Sequence, residues 1–104
     1  MKKTVQNIDQ FHTEIAKNSE FFHTLFNIPN AKIELIESCS VENGELYDQD
    51  HDEWVIVLEG KATLQIQNDL YDLKKGDFLF IQKGTLHRVV ATGQKTLWLT
   101  VHLY

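Results

Sequence analysis

The spacing of apolar positions in this chain changes at residue 31. Before that point Ile8, Phe11 and Ile15 recur every three or four residues, as they do on one face of a helix. Asn7 and Gln10 are placed like a capping pair at the start of this segment. The pattern therefore predicts a helix near the N-terminus.

A second apolar stripe follows and ends at Pro29, because proline disfavours helix at the residue before it. The stripe consists of Phe21, Phe22, Leu25 and Phe26. The two stripes together predict a short helical N-terminal arm over residues 1–30. A surface this aromatic is too apolar to face water, so we expect it to pack on a sheet or in a dimer contact.

From Ala31 onward the apolar positions follow a period of two, which is typical of strands. Short strand-like segments alternate with turn residues, and no helical stretch separates them. The predicted strands cover residues 32–35, 54–58, 61–67, 70–73, 78–81, 88–91 and 96–104. This order predicts an all-β domain over residues 31–104, built as an antiparallel sandwich or small barrel.

The segment from Trp54 to Leu58 is apolar at every position, which predicts a strand covered on both faces. This strand and the N-terminal aromatic stripe carry more apolar surface than a barrel of this size covers by itself. We therefore predict a homodimer that uses the outer face of the sheet together with the arm.

Composition excludes several other classes of protein. At 104 residues the chain fits one domain, and 10 basic against 15 acidic side chains give a net charge of −5. No basic cluster is present, so we expect no nucleic-acid partner. Neither a long apolar run nor a signal-like start is present, so we expect no membrane partner. The single cysteine, Cys39, excludes an internal disulfide, and we expect a cytoplasmic protein.

In the second half of the chain, three glycines, one glutamate and one histidine are separated by characteristic numbers of residues. Glu53 opens the apolar strand that ends at Gly60, while Gly76 and Gly84 precede His87. This arrangement resembles the two signature motifs of the cupin superfamily, whose members are small jelly-roll β-barrels that usually hold one metal ion. The resemblance implies a single-domain cupin.

The match to these motifs is incomplete. The first cupin motif has His-x-His before its glutamate, where this chain has Tyr47 and Gln49 with a three-residue spacer. A four-residue spacer would instead place Leu46 and Asp48 there. In the second motif Gln82 and Ala91 replace the usual proline and asparagine, so the strongest departure is the loss of two histidine ligands.

The resemblance implies that three or four side chains converge on one divalent ion, such as Fe, Mn, Ni, Zn or Cu. Glu53 and His87 stand at two of the ligand positions. Gln49 is the choice for the third ligand, since it has the same strand parity as Glu53 and a neutral amide oxygen. Tyr47 is the fourth, with His51 and His102 as further replacements. Losing two histidines should weaken the affinity for metal considerably.

The last strand also presents a polar face. Trp98, Thr100 and His102 share one side, whereas Leu97, Leu99, Val101 and Leu103 share the other. One interpretation is that Trp98 and His102 look into a polar pocket. Alternatively, His51 belongs to a solvated acidic loop, His102 is a core or interface histidine, and Glu53 and His87 form a simple buried pair.

Three functions remain open from the sequence. The first is a small metalloenzyme that acts on a small organic substrate through a Lewis-acidic or oxygen-binding ion. The second is a metal-free, degenerate cupin that binds a small ligand or serves in sensing. The third is an isomerase or lyase that uses Glu53 or His87 as a general base without a metal. The sequence names neither the substrate nor the metal.

Overall fold

The first regular element of the chain is a single turn of 3-10 helix, Ile8–Gln10; the computed structural model describes residues 2–104. The Asn7 side-chain oxygen accepts a hydrogen bond from the Asp9 N–H at 2.8 Å, and the Asn7 N–H donates to Gln10 Oε1 at 3.4 Å. The predicted capping pair is therefore confirmed. The predicted helical arm over residues 1–30 is wrong beyond this turn, and Met1 lies outside the described residues.

Eight strands follow the turn. Their bounds are β1 Ser19–Ile28, β2 Ala31–Cys39, β3 Asp52–Glu59, β4 Lys61–Ile66, β5 Asp69–Lys74, β6 Phe78–Ile81, β7 His87–Thr92 and β8 Thr96–Leu103. Strands β2 to β8 confirm the predicted β segments. Strand β1 occupies the aromatic stripe that the sequence assigned to a helix.

All strand pairs are antiparallel, and they form two sheets. The larger sheet has the order β1-β2-β8-β3-β6, and the smaller has the order β5-β4-β7. The chain passes from the larger to the smaller sheet at Gly60, between β3 and β4. The predicted all-β, antiparallel architecture is therefore confirmed, as two sheets and not as one closed barrel. Among residues 2–104, no helix has the length and apolar character needed to cross a membrane.

The core lies between the inner faces of the two sheets. The larger sheet contributes Val55, Val57, Ile81 and Trp98, and the smaller sheet contributes Ala62, Leu64 and Leu73. Strand β3 alternates between these buried residues and the half-buried Trp54, Ile56 and Leu58. A single chain therefore covers β3 fully on one face only, and the predicted cover on both faces is incomplete.

The N-terminal segment is attached to the opposite face of the larger sheet. The Thr13 N–H donates to Glu37 Oε1 at 3.2 Å, and Glu37 Oε2 lies 3.0 Å from His23 Nε2. The Phe11 ring packs edge-on against the His23 ring, with centroids 5.3 Å apart. This attachment leaves the inner face of β2 free to line a cavity.

Candidate functional site

A cavity of about 340 Å³ opens between the inner faces of the sheets. All seven side chains that the sequence predicted for the site line it: Tyr47, Gln49, His51, Glu53, His87, Trp98 and His102. Eleven further residues complete the lining, and the polar or charged ones are Glu20, Lys32, Glu34 and Thr100. The fold thus brings the predicted residues together in one place.

The centre of the site is the pair formed by Glu53 and His87. Glu53 lies near the start of β3 and His87 begins β7, and they are 8% and 6% exposed. Glu53 Oε1 lies 3.7 Å from His87 Nε2, which is an ionic contact and too long for a direct hydrogen bond. His87 Nδ1 lies 2.9 Å from the Thr85 carbonyl oxygen, so Nδ1 carries a proton and donates it there. The other ring nitrogen, Nε2, consequently faces Glu53.

The environment of His87 favours its charged form. Burial by itself lowers the pKa of this imidazole, but the Glu53 carboxylate and the Thr85 carbonyl outweigh burial and raise the pKa above its ordinary value. His87 therefore exchanges a proton at a higher pH than a free histidine would. Such a group can act as acid or base on a molecule in the cavity.

Two buried oxygen atoms in the site have no hydrogen-bond partner among residues 2–104. They are Gln49 Oε1 and Glu53 Oε1. The Gln49 backbone is held in place because the Gly84 N–H donates to its carbonyl oxygen at 2.7 Å. Buried acceptors normally have partners, so these two oxygens mark a place where a ligand brings positive charge or donor hydrogens.

Tyr47 lies beside His87 on an isolated bridge. The Tyr47 N–H donates to the His87 carbonyl at 2.8 Å, and the two ring centroids are 5.7 Å apart. Burial raises the pKa of the Tyr47 phenol, and the nearby carboxylates, Glu20 first, raise it further. The phenol therefore stays neutral at neutral pH, which makes it a hydrogen-bonding wall and a poor metal ligand.

A second set of polar side chains lines the cavity wall and connects β2, β8 and the loop before β3. His102 Nε2 lies 2.9 Å from Glu34 Oε1, and His102 Nδ1 lies 2.8 Å from His51 Nε2. An ionised carboxylate can only accept, so His102 Nε2 donates to Glu34, and with His102 neutral its Nδ1 accepts from His51. His51 is therefore part of a partly buried network, and it also belongs to the acidic loop, because its Nδ1 lies 3.4 Å from the exposed Asp50 carboxylate.

Sequence reasoning missed Glu34. The sequence predicted a strand over residues 32–35 and gave Glu34 no role. Leu35 is fully buried on the outer face of that strand, and Glu34 lies opposite Thr100 on the inner face, next to His102. Glu34 could have been found only by pairing β2 with β8, which places Glu34 on the same face as Thr100 and His102.

Glu20 was missed for a similar reason. The Ser38 hydroxyl donates to Glu20 Oε2 at 2.5 Å, and the Trp98 indole N–H donates to the Ser38 hydroxyl at 3.0 Å. Burial raises the pKa of Glu20, against the Ser38 hydrogen bond, which lowers it. Trp98 therefore lines the cavity with its ring while its polar atom is satisfied.

The cavity offers only a few side chains that could bind a divalent ion. Among residues 2–104, no group of three or more His, Cys, Asp or Glu side chains is arranged to hold a metal ion. Gln49, Glu53 and His87 offer one amide oxygen, one carboxylate and one imidazole. Oxygen-rich sets of this kind suit a loosely held ion such as Mn²⁺ better than the Zn²⁺ or Cu²⁺ that more nitrogen or sulfur ligands would hold.

Comparison with known proteins gives the chain relatives with the same fold. It is 29% identical to a candidate mannose-6-phosphate isomerase from Ralstonia eutropha JMP134, with a TM-score of 0.84 over 96% of this chain and 98% of that one. It is 18% identical to a cupin superfamily protein from Desulfitobacterium hafniense DCB-2, with a TM-score of 0.78 over 99% and 93%.

A sequence relative is also found among curated proteins. The chain is 34% identical over 55 residues to an uncharacterized protein from Aquifex aeolicus (strain VF5). That match covers 53% of this chain and 46% of the relative, so the chain spans about half of the relative's length. The model of the family described as "Cupin domain" matches residues 38–102, which is more than half of the chain. The chain belongs to the cupin family.

Proposed function

We propose that this cupin binds a small polar organic molecule in its cavity, and that Glu53 and His87 are the groups that act on it. One observation carries the proposal: a buried carboxylate oxygen that lacks a hydrogen-bond partner among the described residues lies 3.7 Å from an imidazole nitrogen in the cavity. A pocket with apolar walls and a few converging polar groups is the usual form of a small-molecule site.

The chemistry that this pair supports is proton transfer. Neutral His87 can take a proton from a bound molecule through Nε2, since Nδ1 is held by the Thr85 carbonyl. The charged ring can return the proton, and the Glu53 carboxylate stabilises that charge. Isomerases and lyases use steps of this kind. The likeness to a candidate mannose-6-phosphate isomerase supports isomerisation as the reaction class.

A ligand screen tests this proposal. Metabolite mixtures would be added to the wild-type protein and to Glu53→Gln and His87→Asn, with Glu59→Gln on the exposed end of β3 as matched control. We expect compounds that raise the melting temperature of wild type and Glu59→Gln and not of the two site variants. Compounds that stabilise all four proteins equally would contradict the proposal. A ligand that binds without being converted would favour a binding or sensing module over an enzyme.

A second candidate function is the binding of a divalent metal ion. It is supported by the two unpaired oxygens, Gln49 Oε1 and Glu53 Oε1, because a cation would satisfy both. Gln49, Glu53 and His87 would hold the ion, which would supply Lewis-acid chemistry to the bound molecule. The chain's own residues would still bind and orient that molecule.

Elemental analysis of dialysed, untagged protein and calorimetric titration with Mn²⁺, Ni²⁺ and Zn²⁺ test this candidate. We expect binding of one ion per chain, weakened strongly by Glu53→Gln and left unchanged by Glu59→Gln. Loss of the ion on dialysis together with no heat at millimolar metal would rule it out in favour of the metal-free ligand site.

A further inference from the structure

The charged side chains that line the cavity are mainly acidic. They are three carboxylates, Glu20, Glu34 and Glu53, and one ammonium, Lys32. Lys32 Nζ lies 3.8 Å from Glu34 Oε2, so its charge is already opposed within the wall. His87 in turn faces the Glu53 carboxylate at 3.7 Å, so a negatively charged ligand would meet carboxylates and no cation that lacks a carboxylate partner.

The unpaired polar atoms of the cavity are also acceptors. Glu53 is 92% buried and its Oε1 lacks a hydrogen-bond partner among the described residues, as does Gln49 Oε1. The ring nitrogens of His102 and the Nδ1 of His87 are already engaged with Glu34, His51 and the Thr85 carbonyl, and His87 Nε2 faces Glu53 at 3.7 Å, too far for a hydrogen bond. The ligand must therefore bring donor hydrogens to this end of the cavity.

No built feature in the described chain would receive a phosphate or carboxylate. The one arginine in the sequence, Arg88, alternates on β7 with His87 and Val89, and those two line the cavity while Arg88 does not. Anions are usually held by arginine forks or helix N-termini, and residues 2–104 contain one 3-10 turn and no longer helix.

The rest of the wall is apolar and aromatic. The aliphatic and aromatic lining residues are Phe22, Ile36, Tyr47, Val55, Leu64, Ile81, Val89, Trp98 and Tyr104. Aromatic faces attract an organic cation as well as an apolar body. The cavity volume of about 340 Å³ is large enough for one small molecule.

We infer that the cavity selects a small molecule with an apolar body and a primary ammonium group, the ammonium donating to Glu53 Oε1 and Gln49 Oε1. This inference rests on the proposed function and names the ligand class of the same site. An ammonium has three donor hydrogens and a positive charge, whereas a hydroxyl offers a single hydrogen and no charge. The two unpaired acceptors and the acidic wall together favour the ammonium.

Four matched probes test the inference on protein freed of metal with a chelator: benzylamine, benzyl alcohol, benzoate and benzyl phosphate. Binding is measured by calorimetry and by the NMR shift of the Trp98 indole N–H. We expect benzylamine to bind about tenfold or more tightly than benzyl alcohol, since a hydrogen bond between charged groups is stronger than a neutral one. The two anions should not bind.

Variants of Glu53 test whether its carboxylate causes the preference for the amine. Glu53→Gln should weaken benzylamine about tenfold and benzyl alcohol clearly less, whereas Glu53→Asp, which keeps the charge, should retain the preference for the amine. Glu59→Gln is the control for a lost exposed carboxylate. If benzyl alcohol or an anion binds as tightly as benzylamine, the inference is wrong while the small-molecule site stands. If no probe shifts the Trp98 signal, the inference is again wrong, and the metabolite screen alone decides the proposed function.

Discussion

At the scale of single residues, the cavity holds carboxylates where a small barrel usually packs apolar side chains. Each of them has a different partner: Glu20 has the Ser38 hydroxyl, Glu34 has His102, and Glu53 faces His87 at a longer distance. Such groups are costly to bury unless they are hydrogen-bonded. The stability of this chain should therefore depend on pH and on the integrity of these contacts.

Glu20 gives a pH dependence with a definite sign. Burial raises its pKa above the ordinary value of 4.5, so its protonated form favours folding; this stabilisation is complete below pH 4.5 and is lost as pH rises through the raised pKa. We predict that Glu20→Gln, which cannot ionise, becomes more stable relative to wild type as pH rises from 4.5 to 8. Urea unfolding at several pH values measures the difference. Glu59→Gln should show no such trend, and a constant difference for Glu20→Gln would contradict the prediction.

His102 joins two other groups and should be expensive to remove. His102→Ala leaves Glu34 Oε1 and His51 Nε2 without their partner, and an unsatisfied buried polar group costs about 1–3 kcal/mol. We predict a loss of at least this size in the free energy of unfolding, measured in urea. The control is His12→Ala, whose side chain is 73% exposed and should change stability by less than about 0.5 kcal/mol. Equal losses in both variants would refute the network.

At the scale of elements, β1 shows why a strand was mistaken for a helix. The β1–β2 register shifts between Thr24 and Phe26, so one extra residue interrupts the period of two. The apolar residues Phe21, Phe22, Leu25 and Phe26 are spaced as on one face of a helix, and the shift lies within this run. A local pattern cannot reveal a bulge, because the partner strand defines it.

The sequence located much of the site because most of its residues lie on two local stretches, 47–53 and 98–102, and His87 stands at a motif position. Strand parity aligned Trp98 with His102, and motif spacing selected Glu53 and His87. Glu20 and Glu34 escaped detection, since their place in the cavity depends on the pairing of β1 with β2 and of β2 with β8. Long-range pairing of this kind leaves no local trace, which is also why the hydrogen bonds of His51 could not be foreseen.

The turn between β3 and β4 has little room. Gly60 has φ +78°, and a Cβ built on it would overlap the Lys95 carbonyl oxygen, whereas Gly76 has φ +89° and open space around it. We predict that Gly76→Ala costs about 1–2 kcal/mol from the left-handed conformation alone. Gly60→Ala should cost clearly more, because the turn must also move. Thermal and urea unfolding compare the two variants, and equal costs would show that the Lys95 contact is unimportant.

At the scale of the whole molecule, the outer face of the larger sheet is apolar. Phe78 and Phe80 are 62% and 54% exposed, and Trp54 lies directly opposite Phe80 and packs against the Phe78 ring at 5.5 Å. Val101 on β8 lies opposite Trp54 on its other side. We propose that a second copy of the chain covers this face, as the surplus of apolar surface in the sequence predicts.

Sedimentation and light scattering test the dimer. Wild type should have twice the 12.1 kDa mass of one chain at micromolar concentration. Phe80→Glu should give a folded monomer, because it places a charge at the centre of the contact. Leu70→Glu is the matched control, since Leu70 is 64% exposed on the smaller sheet and the dimer should persist. A wild-type monomer would refute this proposal without affecting the cavity.

The two tryptophans of the chain lie on opposite faces of the larger sheet. Trp98 is 3% exposed and forms part of the cavity wall, while Trp54 is half-buried beside the exposed phenylalanines. Their fluorescence therefore responds to different events, with emission from Trp98 changing when the cavity fills and emission from Trp54 changing when copies of the chain associate. Replacing Trp54 with phenylalanine would leave Trp98 as the single tryptophan, and occupancy of the interior could then be followed in solution by selective excitation of tryptophan, without any attached dye.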